Sequence, residues 1–77
     1  MILPTKHVPL PDTYLGIGGV ILAELSTPRT VLELWKIMQR KKMETLNTER
    51  FYLTLDFLYM LKLITFTKGL LHRSEVA

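Results

Sequence analysis

The chain has no cysteine. That excludes disulfides, thiolate metal sites and the small disulfide scaffolds, and it fits a reducing compartment. There is no internal repeat and no low-complexity stretch. The longest apolar run, Tyr14 to Ala23, is far short of the ~20 residues that span a bilayer. The opening MILPTKHVPLPD lacks the basic-then-apolar order of a signal peptide. A soluble, cytoplasmic protein with no membrane attachment is the expectation.

Signals of catalysis are also missing. His7 and His72 stand far apart, in none of the spacings that build a metal site. They read as an exposed leader histidine and a strand histidine. No nucleophile sits beside a base, and no carboxylate pair is suited to acid–base work. Gly16-Ile17-Gly18-Gly19 resembles a phosphate loop only in its glycines. No strand precedes it and no Gly-Lys-Ser/Thr follows. Catalytic residues, cofactor and metal are therefore all expected to be none.

What is present is apolar surface. The chain has 77 residues, of which 48% are hydrophobic. A single domain of this size buries only about 60% of its unfolded surface. The composition is too apolar for disorder, and the excess points to an interface. The formal charge of +3 permits a nucleic-acid neighbour but is weak evidence for one.

Three prolines, Pro4, Pro9 and Pro11, disfavour helix at the start. Residues 1–11 read as an extended leader, 12–73 as the folded domain and 74–77 as a frayed tail. Asp12 or Thr13 is the expected cap of a first helix running to about Leu25. Its apolar positions are Leu15, Val20, Ile21, Leu22 and Leu25. Gly16, Gly19 and Ala23 are small residues at helical spacing. Each glycine costs about 1 kcal/mol against alanine. Either another element approaches closely there, or the helix starts after Gly18.

Pro28 marks a turn, and Thr30 with Glu33 forms a T-x-x-E capping box. The second helix follows from Val31 to Arg40, with Val31, Leu34, Trp35 and Met38 as its apolar stripe. Asn47 or Thr48 caps a third helix from Thr48 to Lys62. Leu63 to Thr67, a Lys68-Gly69 turn and Leu70 to Arg73 read as a β-hairpin. The fold class is thus mainly α with a C-terminal β-hairpin: winged helix-turn-helix-like, three helices plus a wing. A plain three-helix bundle with a loose tail is the competitor.

The segment of the third helix, TERFYLTLDFLYMLKL, has too little polar face for a helix packed on one core. At about 100° per residue, Phe51, Leu55 and Leu58 share one stripe. Leu53, Phe57 and Met60 share another on the far side, with Tyr52 and Tyr59 on a line between. A sequence-reading helix presents Arg, Lys, Asn, Gln or Ser to base edges from its first turns. Here only Thr48, Glu49 and Arg50 offer that, and Glu49 opposes phosphate. The expected partner-binding residues are Leu53, Phe57, Met60, Tyr52 and Tyr59, with Met1, Ile2 and Leu3 of the leader as a second contact. The candidate nucleic-acid contacts are Lys36, Arg40, Lys41, Lys42 and Arg50; solvated cations at a helix end are the blander reading. Two other readings stay open. One is a winged-helix DNA-binding transcriptional regulator, and the other a homodimer that covers the second stripe with itself.

The segments MILPTKH, YLGIGGVILAEL, PRTVLELW and ERFYLTLDFLYMLKLITFTKGLLHR together resemble the sixth family of middle components of bacterial ABC-three-component systems. The resemblance runs from Met1 to about Arg73. Its most specific parts are MILPTKH and the pattern through Leu53, Leu55, Asp56, Phe57, Leu58, Tyr59 and Leu61. Members often carry an acidic residue before the glycine of the hairpin turn, where this chain has Lys68. The resemblance implies a small accessory subunit without enzymatic activity. Its partners would be an SMC/RecN-like ABC ATPase and an effector, often a nuclease, in defence against phages and plasmids.

Overall fold

A computed structural model describes residues 10–74, with side chains from Thr13 onward. The order is α1 (Leu10–Glu24), α2 (Val31–Arg40), α3 (Thr48–Met60), β1 (Ile64–Thr67) and β2 (Leu70–Arg73). Three helices followed by an antiparallel hairpin is the expected winged layout.

Helix α1 starts at Leu10, before the expected Asp12 or Thr13 cap and inside the expected leader. Pro11 is tolerated because the first turn of a helix has no carbonyl waiting for its missing N–H. The helix then runs unbroken through all three glycines, which rules out a start after Gly18. The close approach belongs to Gly18, not to Gly16 or Gly19. A Cβ at Gly18 would stand 3.4 Å from Leu58 Cδ2 and 3.6 Å from Thr54 Cγ2, whereas Gly16 and Gly19 face open space. Gly18 therefore marks where α1 crosses α3. Buried Ile17, Ile21 and Leu25 continue this inner face at helical spacing, while Leu15, expected to be apolar core, is 67% exposed.

The α2 start forms as expected. Thr30 Oγ1 accepts from the Glu33 N–H at 3.1 Å, and Glu33 Oε1 accepts from the Thr30 N–H at 2.9 Å. This satisfies two amides that the helix start leaves without intrahelical partners. Leu34 and Met38 are buried, with Val31 and Trp35 packed against the core. Trp35 also meets the fully buried Phe51 of α3, ring centroids 4.9 Å apart.

Helix α3 is capped by Asn47, whose Oδ1 accepts from the Arg50 N–H at 2.7 Å. It ends two residues short of Lys62. The Leu63 N–H donates to Leu58 O and the Lys62 N–H to Tyr59 O, each at 2.9 Å. Such a pair closes a helix through one residue in the left-handed region, usually glycine. Here that residue is Lys62, at φ 63°.

The hairpin pairs Ile64 with Arg73, Thr65 with His72, Phe66 with Leu71 and Thr67 with Leu70. Lys68 (φ 56°) and Gly69 (φ 80°) give the two-residue turn with positive φ at both positions that suits the twist of a hairpin. The turn before α2 does more than expected. Arg29 pairs with Leu71 as a one-residue third strand: the Leu71 N–H donates to Arg29 O at 2.7 Å, and the Arg29 N–H to Leu71 O at 3.2 Å. Ile64 and Leu71 are buried and complete the core, so the wing is bound on its inner side to the helices.

Candidate functional site

Helix α3 is held by one face. Phe51, Leu55 and Leu58 are buried, as is Thr54. The Thr54 hydroxyl is satisfied within the helix, donating to Arg50 O at 2.6 Å, so this polar group sits in the core without an unpaired donor. This inner face presses on α1 at Gly18 and on Trp35 of α2.

Apart from the half-buried Arg50, the remaining side chains of α3 face outward, and from Tyr52 on all but Asp56 are large and apolar or aromatic. Leu53 and Phe57 are each 44% exposed, and Met60 is 71% exposed. Spaced i, i+4 and i+7, they make one continuous stripe. Tyr52 and Tyr59 are exposed beside it. Asp56 is exposed as well and falls between the tyrosine line and the Met60–Leu53 stripe. Its carboxylate is solvated, which avoids the cost of burial. Leu61, at the C-cap, and Phe66 of β1 are also exposed. Neither is among the expected contacts. Leu61 was legible in the apolar pattern of the segment, whereas nothing in the strand pattern of Phe66 separates it from a core residue. Met1, Ile2 and Leu3 lie outside the described residues.

The five candidate nucleic-acid cations are not one patch of equals. Lys36, Arg40, Lys41 and Lys42 are exposed on the C-terminal part of α2 or just after it. Lys41 Nζ, however, lies 2.8 Å from Glu24 Oε2. Arg50 is half-buried, and its Nη1 donates to Thr45 O at 2.9 Å, tying α3 to the loop before it.

Glu24 is the centre of a small polar junction. Besides Lys41 it faces Arg29, whose Nη2 lies 3.9 Å from Glu24 Oε1 and whose Nε donates to Glu24 O at 2.7 Å. The hydrogen bond from Lys41 holds the Glu24 carboxyl below the usual glutamate range. Partial burial works against this, and the charges of Lys41 and Arg29 add to it. The junction joins the end of α1, the bridging residue and the end of α2. It orders structure, and the geometry offers no acid–base pair for chemistry.

Among the described residues, no group of three or more His, Asp or Glu could hold a metal ion. Among them too, no helix is long and apolar enough to cross a membrane. What this geometry can do is bind, through an apolar helix face framed by tyrosines and marked by one carboxylate. No curated protein and no solved structure is detectably similar to the chain. A family model does match, over residues 3–74, almost the whole of the chain: it belongs to the family of ABC-three component (ABC-3C) system Middle Component 6.

Proposed function

We propose that the chain is a non-catalytic accessory subunit that docks on another component of its ABC-three-component system through the outward face of α3. The family makes it a middle component of such a system. In this reading its partners are an SMC-like ABC ATPase and an effector nuclease, and the complex acts in cytoplasmic defence against phages and plasmids.

One observation carries the reading. Leu53, Phe57 and Met60, with Tyr52 and Tyr59 beside them, are exposed on a helix whose other side already fills the core. In a winged layout that outward face is where a recognition helix meets DNA. A wet, polar groove gives these side chains nothing, whereas a protein surface removes them from water at about 25 cal/mol per Å². Large aromatic side chains on one helix face are also the residue types that dominate interface energetics. Asp56 within the face asks for a cation on the partner, which would fix the register of docking.

The test is co-purification of the full chain with an SMC-like ATPase and an effector co-expressed from the same system. Phe57→Asp places a charge in the centre of the stripe without touching the core. The variant is expected to keep the circular-dichroism spectrum of the parent and to lose at least ninety per cent of the co-purified partner. A folded Phe57→Asp chain that still assembles the whole complex would falsify this face as the interface.

A further inference from the structure

The hairpin has an inner and an outer edge, and among the described residues only the inner one is occupied. Leu71 exchanges both of its backbone hydrogen bonds with Arg29, on the side of β2 away from β1. In an antiparallel ladder this makes Leu71 and the residue opposite it, Phe66, a pair that does not bond across the hairpin. Phe66 therefore points its N–H and C=O outward from β1, and Ile64, two residues earlier, does the same. Among the described residues, no strand or bridge pairs with that edge. The Phe66 ring beside it is 57% exposed.

The charges that directly flank β1 in the sequence are of one sign. Lys62 precedes β1 and Lys68 follows it, both exposed and both held in the left-handed region. From Phe57 to Ser74 the chain carries Lys62, Lys68 and Arg73 and no carboxylate. Lysines at an exposed edge discourage indiscriminate strand pairing, and they also select what can pair. A second copy of this chain fits poorly. The antiparallel register that engages both outward residues of both copies sets Ile64 against Phe66 of the other copy, and so brings Lys62 against Lys68 twice. Like charges directly opposite destabilise a sheet. The leader of the chain fits no better, since residues 1–11 contain Lys6 and no carboxylate.

We infer that the outer edge of β1 is a strand-addition site for an extended segment of another protein, apolar in its middle and acidic at both ends. Backbone bonds to Ile64 and Phe66 supply the pairing, the Phe66 ring covers an apolar side chain of the added strand, and Lys62 and Lys68 select carboxylates about six positions apart. The site goes beyond the α3 face and stands independently of it.

The experiment uses a fluorescein-labelled, end-blocked peptide Asp-Thr-Val-Thr-Val-Thr-Asp and its twin with lysine at both ends. Anisotropy at low salt should show the acidic peptide binding at least tenfold more tightly, with the gap closing as salt is added. In amide NMR of the unaltered chain, the Ile64 and Phe66 N–H groups should shift and become protected from exchange. Phe66→Pro removes the outward N–H at an edge position where proline is tolerated, and should weaken binding at least tenfold. Phe66→Thr keeps that N–H and loses only the ring contact, so it should bind more weakly than the parent but more tightly than Phe66→Pro. Phe57→Asp should bind the peptide unchanged, which separates failure of this site from failure of the α3 face. The inference is overturned by absent binding, by equal binding of the two peptides, by shifts confined to residues outside β1, or by a dimer of the chain that Phe66→Pro dissolves.

Discussion

Helices α2 and α3 follow one another in the chain, start with side-chain caps and end with a lysine in the left-handed region, yet they use their surfaces differently. Helix α2 buries Leu34 and Met38 and turns Glu33, Lys36, Gln39 and Arg40 to solvent, with Leu32 its one large exposed apolar residue. Helix α3 buries Phe51, Thr54, Leu55 and Leu58, and still turns Tyr52, Leu53, Phe57, Tyr59 and Met60 outward. One helix is finished by the fold of its own chain. The other is finished only on one side. The difference lies in side-chain type, and it separates a helix covered by its own chain from one that keeps an exposed apolar face.

The strongest way to break this comparison is to cut the two faces of α3 in turn. Phe51→Ala removes a fully buried ring that meets Trp35 and Tyr52, and should cost about 3–5 kcal/mol in urea denaturation. Against a total of about 5–15 kcal/mol for a whole protein, that leaves the domain close to unfolding. Phe57→Ala on the outer face should cost less than about 1 kcal/mol. Equal losses would mean that the outer face is also structural.

Capping sharpens the likeness of the helix starts. Thr30→Ala removes the hydroxyl arm of the capping box at α2, the bond from the Glu33 N–H, and Asn47→Ala removes the bond to the Arg50 N–H at α3. Each should lower stability by about 1 kcal/mol. A much smaller loss at Asn47 would show that α3 is set by its packing instead.

The helix ends give a gain. Lys62→Gly and Lys42→Gly relieve side chains held at φ 63° and φ 55°, and each should raise stability by about 0.5–1 kcal/mol in a thermal melt. No gain at Lys62 would show that its stem packs usefully on the chain.

The smallest effect is a pH dependence confined to the α2 side. The Glu24 carboxyl is depressed in the folded chain, chiefly by the Lys41 hydrogen bond. Its contribution is therefore complete above the ordinary glutamate range. It fades as pH falls through that range toward the folded value. Glu24→Gln should flatten this acid limb of the stability curve while leaving the response of α3 caps unchanged. An unaltered limb would place the acid sensitivity elsewhere.

Much of this was legible in the sequence, for physical reasons that can be named. The T-x-x-E box at Thr30 fixed the start of α2 because two reciprocal hydrogen bonds are local. The Lys68-Gly69 turn located the hairpin because positive φ has few sequence solutions. The two stripes of α3 followed from helical geometry. Other features were hidden because they depend on contacts between distant residues. Pro11 looked like the end of a leader, although proline is at home in a first helical turn. Gly16 and Gly19 looked like the packing glycines, but only the crossing of α3 over α1 shows that Gly18 is the one in contact. Leu15 looked like core and is exposed, while Ile17, overlooked, is fully buried. Helix period alone does not say which direction is inward when apolar residues occupy most of the circumference. Arg29 looked like an ordinary turn residue, and its pairing with Leu71 exists only because the wing folds back across the chain.

The sequence by itself determined the elements, their order and the excess of apolar surface, since caps, turns and periodicity act within a few residues. Tertiary structure decided how that excess is divided. Packing of α1 and α2 on Phe51, Leu55 and Leu58 uses up one face of α3 and leaves Leu53, Phe57 and Met60 in water. It also gives β2 a neighbour in Arg29, while among the described residues nothing pairs with the outer edge of β1. Burial is a property of what lies opposite, and that is settled only when the chain has closed on itself.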